Sequence, residues 1–360
     1  MAEKSLEKIV ALTWRLITCR AVSGDVAAVN RAVDELRNFL QPFPLHFTEK
    51  TCGDRRVLYV STHPGFEVDY LLNAHLDVVP ADDADFLPRL EDGKLYGRGA
   101  KDCQGNAAVI AQLLTELAGK ATVRVGAIFT TDEEIGGATT ALMLTSPFSV
   151  RRMVLIVDGD SGEIAYAQKG VLSLKLVESG RGGHASEPWE CDNPVERLMR
   201  DFSRLQAVWP ALPADCWGRS LTATVLKAGQ VANQIPDTAE LQVNIRYVAP
   251  EEREVILSEV RNSGNWQVEL LHDCPPVYGK PDAPALLELR RAMTQTTGRP
   301  VKLKKMHGAT DAYHFARAKL DNIAIIGTTG GNLHSPGEWA ELDGYRENLD
   351  ILRQLVAPKA

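Results

Sequence analysis

Along the first forty residues apolar positions return at three- and four-residue spacing, in two runs separated by Ser23-Gly24-Asp25. The pattern predicts amphipathic helices over 3–20 and 25–40, the second opened by that capping segment and ended by Pro42 and Pro44. Short apolar runs follow. Those at 45–47, 57–61 and 70–74 predict strands, and 105–117, rich in Ala and Leu, predicts a helix. Alternating β-branched residues predict a strand over 121–129, and 153–157 predicts another, closed by Asp158. Residues 82–92 are acidic and irregular, which suits a rim loop. Strands alternating with helices at this spacing predict an α/β fold with a mixed, mostly parallel sheet sandwiched by helices.

The texture changes near Gln168-Lys169-Gly170. From there the pattern reads strand (171–178), helix (194–208), strand (221–227), strand (239–247), helix (251–262), strand (267–271). That βαββαβ order is the ferredoxin-like unit. Residues 274–282, four of them Pro or Gly, read as a linker. A helix (285–297), strand (301–304), helix (311–318), strand (322–326) and last helix (343–355) complete the chain. The predicted organisation is therefore an α/β domain over 1–169, an inserted α+β domain over 170–275, and completion of the first domain by 276–360.

With 360 residues, 44% of them hydrophobic, the chain can fill two cores. A net charge of −7 without any Lys/Arg block argues against a nucleic-acid or anionic-membrane partner. The N-terminal stretch lacks the uninterrupted apolar core of a signal peptide, and no stretch approaches the length of a bilayer span. Six scattered cysteines without a CxxC suit free thiols in a reducing cytoplasm.

The polar residues that end the apolar runs carry the chemistry. In LLNAHLDVVP, His75 and Asp77 stand two apart, and on an extended backbone they leave the strand on one side. A carboxylate there can take the spare imidazole N–H of a metal-ligating histidine. Asp102 lies in GRGAKDCQG just before a helix; the segment lacks the last glycine of a phosphate-binding GxGxxG. Glu133 and Glu134 follow a strand in TTDEEIGG, Asp158 caps another, and His334 lies in GGNLHSPGEW after the strand at 322–326. Singly, each has a bland reading: a solvated glutamate pair, a turn aspartate, a loop histidine. Jointly, at successive strand ends of a parallel sheet, they converge on one crevice. Two histidines and several carboxylates there suit divalent ions.

These motifs, in this order, resemble the dizinc exopeptidases and deacylases of peptidase clan MH, a family that includes acetylornithine deacetylase, succinyl-diaminopimelate desuccinylase, tripeptidase and glutamate carboxypeptidase. The resemblance runs over almost the whole chain. It implies two divalent ions, zinc with cobalt or manganese as alternatives, bridged by Asp102. His75 and Asp158 would complete one ion, Glu134 and His334 the other. Asp77 would orient His75, and Glu133 would act as general base. Asp160, in VDGDSG, rivals Asp158 as third ligand. In the inserted lid, His184 of GRGGHASEP matches the histidine that stabilises the oxyanion, and Asn233 and Arg246 match positions that contact substrate. HGATDAYHF resembles a substrate-contacting segment through Gly308 and Thr310, and its His307 either lines the pocket or lies on the surface. His46, His63, His272 and His314 have no partner motif and read as structural. The resemblance implies a cytoplasmic metal-dependent hydrolase that cleaves an amide bond in a short peptide or N-acyl amino acid. It also implies a homodimer paired through the lid, in which His184 serves the partner's metals.

Overall fold

The structure, a computed structural model, describes residues 2–120, 122–209 and 211–357; Ala121, the first residue of one expected strand, lies outside them. In chain order the first elements are α1 (Ala2–Thr18), α2 (Val26–Leu40), β1 (His46–Cys52), β2 (Arg55–Ser61) and β3 (Glu67–His75). Then come α3 (Gln104–Leu117), β4 (Val125–Thr130), α4 (Ala138–Met143), β5 (Ser149–Val157) and β6 (Glu163–Gln168). A second group follows: β7 (Gly170–Ser179), α5 (Pro194–Val208), β8 (Ser220–Ala228), β9 (Thr238–Tyr247), α6 (Glu252–Asn262) and β10 (Gln267–Cys274). The chain closes with α7 (Pro284–Thr297), α8 (Ala312–Arg317), β11 (Ile323–Ile326) and α9 (Leu342–Val356).

Two compact units result. One runs up to Ala167 and resumes with Tyr278–Lys304 and from Thr310 onward; the other is Gln168–Val277 with Lys305–Ala309.

In the first unit the sheet is mixed, in the order β1-β2-β4-β3-β5-β11-β6. Its four central strands, β4, β3, β5 and β11, are parallel, while β2 and β6 pair antiparallel at the flanks. The central strands are apolar throughout their cores, Leu71, Leu72, Val154, Leu155 and Ile156 being fully buried, as a sheet covered on both faces requires. Helix α1 turns Leu6, Ile9, Leu12 and Leu16 inward and leaves Glu7, Lys8 and Arg15 in solvent. It packs with α3 and α9, and α9 with α7. Asp25 caps α2 by accepting the Ala28 N–H at 2.9 Å.

The expected rim loop is more ordered than its composition suggests. Asp83–Phe86 forms a 3-10 turn that buries Phe86, and Arg89–Glu91 is a strand. With Lys94–Tyr96, Trp339–Glu341 and Gly330–Gly331 it makes a small antiparallel sheet. Three-residue strands are too short to show a period. Here cations over rings contribute, Arg89 4.2 Å from the Tyr96 centroid and Lys94 3.9 Å from that of Trp339. Likewise α4 and β6 carry no periodicity that sequence could reveal.

In the second unit four antiparallel strands lie in the order β8-β9-β7-β10, the ferredoxin-like arrangement. Alternate residues of β7 (Leu172, Leu174, Leu176) and β9 (Leu241, Val243, Ile245) pack with Leu198 and Leu205 of α5 and Ile256 and Val260 of α6. Strand β8, at the edge, exposes most of its length. All six cysteines are free. No helix among the described residues is long and apolar enough to cross a membrane.

Candidate active site

The carboxyl ends of the four parallel strands deliver the polar residues. His75 is the last residue of β3, and Asp158 directly follows β5. Glu133 and Glu134 sit on a 3-10 turn (Glu133–Ile135) just past β4, and His334 lies in the loop after β11. Asp102 precedes α3 across a cis Asp102–Cys103 peptide. The two oxygens of Asp102 face two different histidines: Oδ1 lies 3.0 Å from His75 Nε2, and Oδ2 lies 3.2 Å from His334 Nε2. His75 Nε2 is also 3.9 Å from Asp158 Oδ1, and His334 Nε2 is 3.1 Å from Glu134 Oε1.

These contacts pass a test of fit for metal. His75 Nδ1 donates to the Asp77 carbonyl at 2.9 Å, so Nε2 is the atom free to ligate. In the free site Nε2 carries a proton towards Asp102, and against the opposing effect of burial that hydrogen bond helps raise His75 well above its ordinary range. A metal ion in place of that proton would meet both the ring nitrogen and the carboxylate. Two ligands each about 2.0–2.1 Å from a tetrahedral ion stand roughly 3.3 Å apart, close to the spacings found here. The protons that the free site must hold say the same. Burial, then the Asp102 charge, pushes Asp158 up to about 8. Hydrogen bonds to Asp102 and Glu134 lift His334 to about 10. Burial also raises Glu133 well above the usual carboxylate range, against the favourable charge of His75. A divalent ion would relieve this crowding of acids.

The surroundings hold these groups in place. Asp77, fully buried, accepts from Ser23 Oγ (2.7 Å) and from the backbone N–H groups of Glu133 (3.1 Å) and Glu134 (3.3 Å). Its carboxylate is 3.5 Å from His75 Nδ1, farther than its own carbonyl, so the predicted orientation of His75 comes first from backbone. The Gly136-Gly137 pair allows the turn: both have positive φ, and a Cβ on Gly137 would stand 2.4 Å from His314 Nε2. Tyr313 Oη donates to the Gly136 carbonyl at 2.8 Å, and the buried Asp311 accepts from Thr130 and Thr140.

A match to the family model described as Peptidase family M20/M25/M40 extends over residues 71–357. The chain belongs to this peptidase family. A succinyl-diaminopimelate desuccinylase of Sulfurovum sp. (strain NBC37-1) is 25% identical, over 97% of this chain and 98% of its own. Among solved structures, the M20 family metallo-carboxypeptidase Sso-CP2 of Sulfolobus solfataricus superposes with a TM-score of 0.80 at 14% identity, covering 98% of both chains. A di-peptidase of Saccharomyces cerevisiae, Dug1p, gives 0.78 at 14% identity over 100% of this chain and 99% of its own. M20 proteins are metal-dependent hydrolases of amide bonds, and this chain is such a hydrolase with residues placed to bind metal.

The other expected residues have these surroundings. Asp160 is half exposed and pairs with Lys101 and Lys304, both at 2.9 Å, away from the histidines. Cys103 lies beside His75 and Asp158, yet burial holds its thiol well above the usual range, and Sγ donates to the Val157 carbonyl. In the second unit the short pairing of Gly183–His184 with Gln234–Ile235 sets His184 beside Asn233. The Ser186 N–H donates to His184 Nδ1 at 3.2 Å, which leaves the proton of the neutral ring on Nε2. Arg246 Nε donates to Asn244 Oδ1, and Gly308 and His307 are exposed. Thr310 is buried and its Oγ1 accepts the Ala312 N–H at the start of α8, a helix-capping contact.

Sequence reasoning missed Glu338. Fully buried, its carboxylate accepts from Arg98 Nη1 (2.8 Å) and from the N–H groups of Gly99 (3.1 Å), Lys101 (2.9 Å) and Asp102 (3.0 Å). Arg98 Nη2 in turn holds the Ser335 carbonyl at 3.1 Å. One buried acid thereby ties the Asp102 loop to the His334 loop. The only available signal was the GE that closes GGNLHSPGEW.

Proposed function

We propose that this chain hydrolyses the amide bond of a short peptide or an N-acyl amino acid with two divalent ions, zinc in the first instance. The observation that carries the reading is the Asp102 carboxylate, each oxygen turned to a different histidine. Asp102 would bridge the ions, with His75 and Asp158 on one and Glu134 and His334 on the other. When bound, the ions supply Lewis-acid polarisation of the carbonyl and acidify an attacking water. Glu133 takes the proton from that water and delivers it to the leaving amine. The backbone N–H groups of both residues are tied to Asp77, which fixes the turn that carries them, while the Glu134 carboxylate faces His334. His184, with a proton on Nε2, donates to the oxyanion, and Asn233, Arg246, Gly308 and Thr310 contact substrate.

The named desuccinylase relative favours an N-acyl amino acid as a second reading beside a peptide. The second unit is read as a lid and dimerisation domain. Its edge strand β8, with Leu226 64% exposed, and the neighbouring Met199, 63% exposed, support pairing of two chains there. We assign the protein to the cytoplasm from its cysteines alone. Purified enzyme loaded with Zn²⁺, Co²⁺ or Mn²⁺ should turn over members of N-acetyl, N-succinyl and dipeptide libraries. Folded, metal-loaded protein that cleaves none of them would overturn the proposal.

A further inference from the structure

The turn that carries Glu133 and Glu134 is also tied to a cation that belongs to no sequence motif. Arg55 opens β2 and is partly buried. In the antiparallel pairing of β2 with β4, Leu58 stands opposite Phe129, which brings the start of β2 to the carboxyl end of β4, where the turn begins. There the guanidinium reaches two backbone carbonyls on separate segments: Nη1 donates to Thr131 and Nη2 to Ser23. Both segments lead to Asp77. Ser23 Oγ donates to Asp77 Oδ2 at 2.7 Å, and the Ser23 N–H is fixed on the Val78 carbonyl at 3.0 Å. Asp77 in turn accepts the N–H groups of Glu133 and Glu134. From Glu133 the chain runs back through Asp132 to Thr131, whose hydroxyl donates to the Arg56 carbonyl at 2.6 Å.

Arg55, Ser23, Asp77 and residues 131–134 thus form a closed ring, and one side chain supplies the link between its two segments. A planar guanidinium spans two acceptors at a fixed separation, whereas an ammonium is a point donor on a flexible stem. The stakes are set by the base: a reacting group displaced by about 1 Å can lose about a hundredfold in rate. We propose that Arg55 is a positioning residue for the amide hydrolysis. By closing the ring it sets the turn on which Glu133 meets the attacking water and Glu134 meets its ion. The inference rests on the amide-hydrolase reading above and deepens it. The rival role is purely electrostatic, since burial raises the Asp132 carboxyl and the Arg55 charge opposes that rise.

The test compares zinc-loaded full chains carrying Arg55→Gln, Arg55→Lys, Ser23→Ala, or Arg55→Gln with Ser23→Ala. Arg55→Gln should lower kcat by about tenfold or more with KM within about twofold, because a misplaced base acts on the transition state. Arg55→Lys keeps the charge without the fork and should stay at least about fivefold below wild type; full recovery would make charge the cause and end the proposal. Ser23→Ala opens the same ring at another link, so the double variant should lie within about threefold of its slower parent. Losses that multiply would show independent roles and refute the ring. Chelator competition gives a second readout: the zinc ion that Glu134→Ala removes should bind about three- to tenfold more weakly in Arg55→Gln. An unchanged zinc affinity would overturn the claim on the turn. Should Arg55→Gln fail to fold, Arg55→Lys carries both readouts. If the wild type cleaves no amide, the hydrolase reading fails, while the zinc comparison still decides the ring.

Discussion

Replacing Glu338 by Ala should do more damage than removing any exposed acid of the site. The carboxylate accepts four hydrogen bonds, three from the backbone of 99–102 and one from Arg98, whose side chain is 2% exposed. Burial raises the Glu338 carboxyl above its ordinary range in spite of the favourable N–H groups, so desolvation consumes much of what the ion pair contributes. The intact pair is therefore worth little net, yet breaking it leaves a guanidinium buried without its counter-charge. That cost is about 3–5 kcal/mol. Glu338→Gln keeps an amide oxygen for the backbone donors but removes the counter-charge and turns its NH2 towards Arg98 Nη1, so it should cost about 3–5 kcal/mol as well. Urea unfolding of the chelated proteins measures both. Because the same residue positions Asp102 and the loop of His334, metal content of the Ala variant should fall as well. A Glu338→Ala protein within about 1 kcal/mol of wild type, with full metal, would refute the reasoning.

The other predictions concern the site directly. Glu133→Ala should keep its metal and lose turnover by several orders of magnitude, whereas Glu134→Ala should lose metal; equal loss in the two, read by elemental analysis, would reverse the assignment. Asp158→Ala should lower metal content and Asp160→Ala should leave it nearly unchanged, since Asp160 is engaged with two lysines. In chelated protein Asp158, raised to about 8, keeps a proton that the unfolded chain releases near its ordinary value of about 3.9. A raised carboxyl stabilises the fold below that ordinary value and loses its contribution as pH climbs towards 8, at about 1.4 kcal/mol per pH unit. Melting curves should therefore drop between about pH 6 and pH 7.5 without zinc, with Glu133 and His334 adding to the fall, and Asp158→Asn should make the drop shallower; parallel curves with and without zinc would contradict this. Mixing His184→Ala with Glu133→Ala under subunit exchange should restore about a quarter of wild-type activity, and no recovery despite exchange would keep His184 out of the partner's site.

How much of this was legible in the sequence depended on distance along the chain. His75 and Asp158 announced themselves because a buried apolar strand stops at a polar residue, a signal contained within ten positions. The ferredoxin-like order of the second unit was legible for the same reason, through alternation in β7 and β9. Glu338 was not: its partner Arg98 is 240 residues away, and neither lies in a periodic segment. Asp311 reads as the start of a helix until Thr130 and Thr140 are brought to it. The three-residue strands at Arg89–Glu91 and Trp339–Glu341 exist through pairing alone, without a local preference to reveal them.

The parallel arrangement of β4, β3, β5 and β11 has a bearing on how the protein is made. Each central strand lies beside neighbours far away in sequence, and Glu134 meets His334 across 200 residues. Such contacts are slow to form, because long loops must close before they are rewarded. A ribosome emits His75, Asp102, Glu134 and Asp158 early, then the whole of Gln168–Val277, and His334 only near the end of synthesis. The inserted unit, nearly contiguous, can fold while the first still waits for β11. Until β11 docks between β5 and β6, a nascent chain offers an ion only an incomplete set of donors. On the proposed ligand assignment, metal capture would be a late event that reports completion of the larger unit.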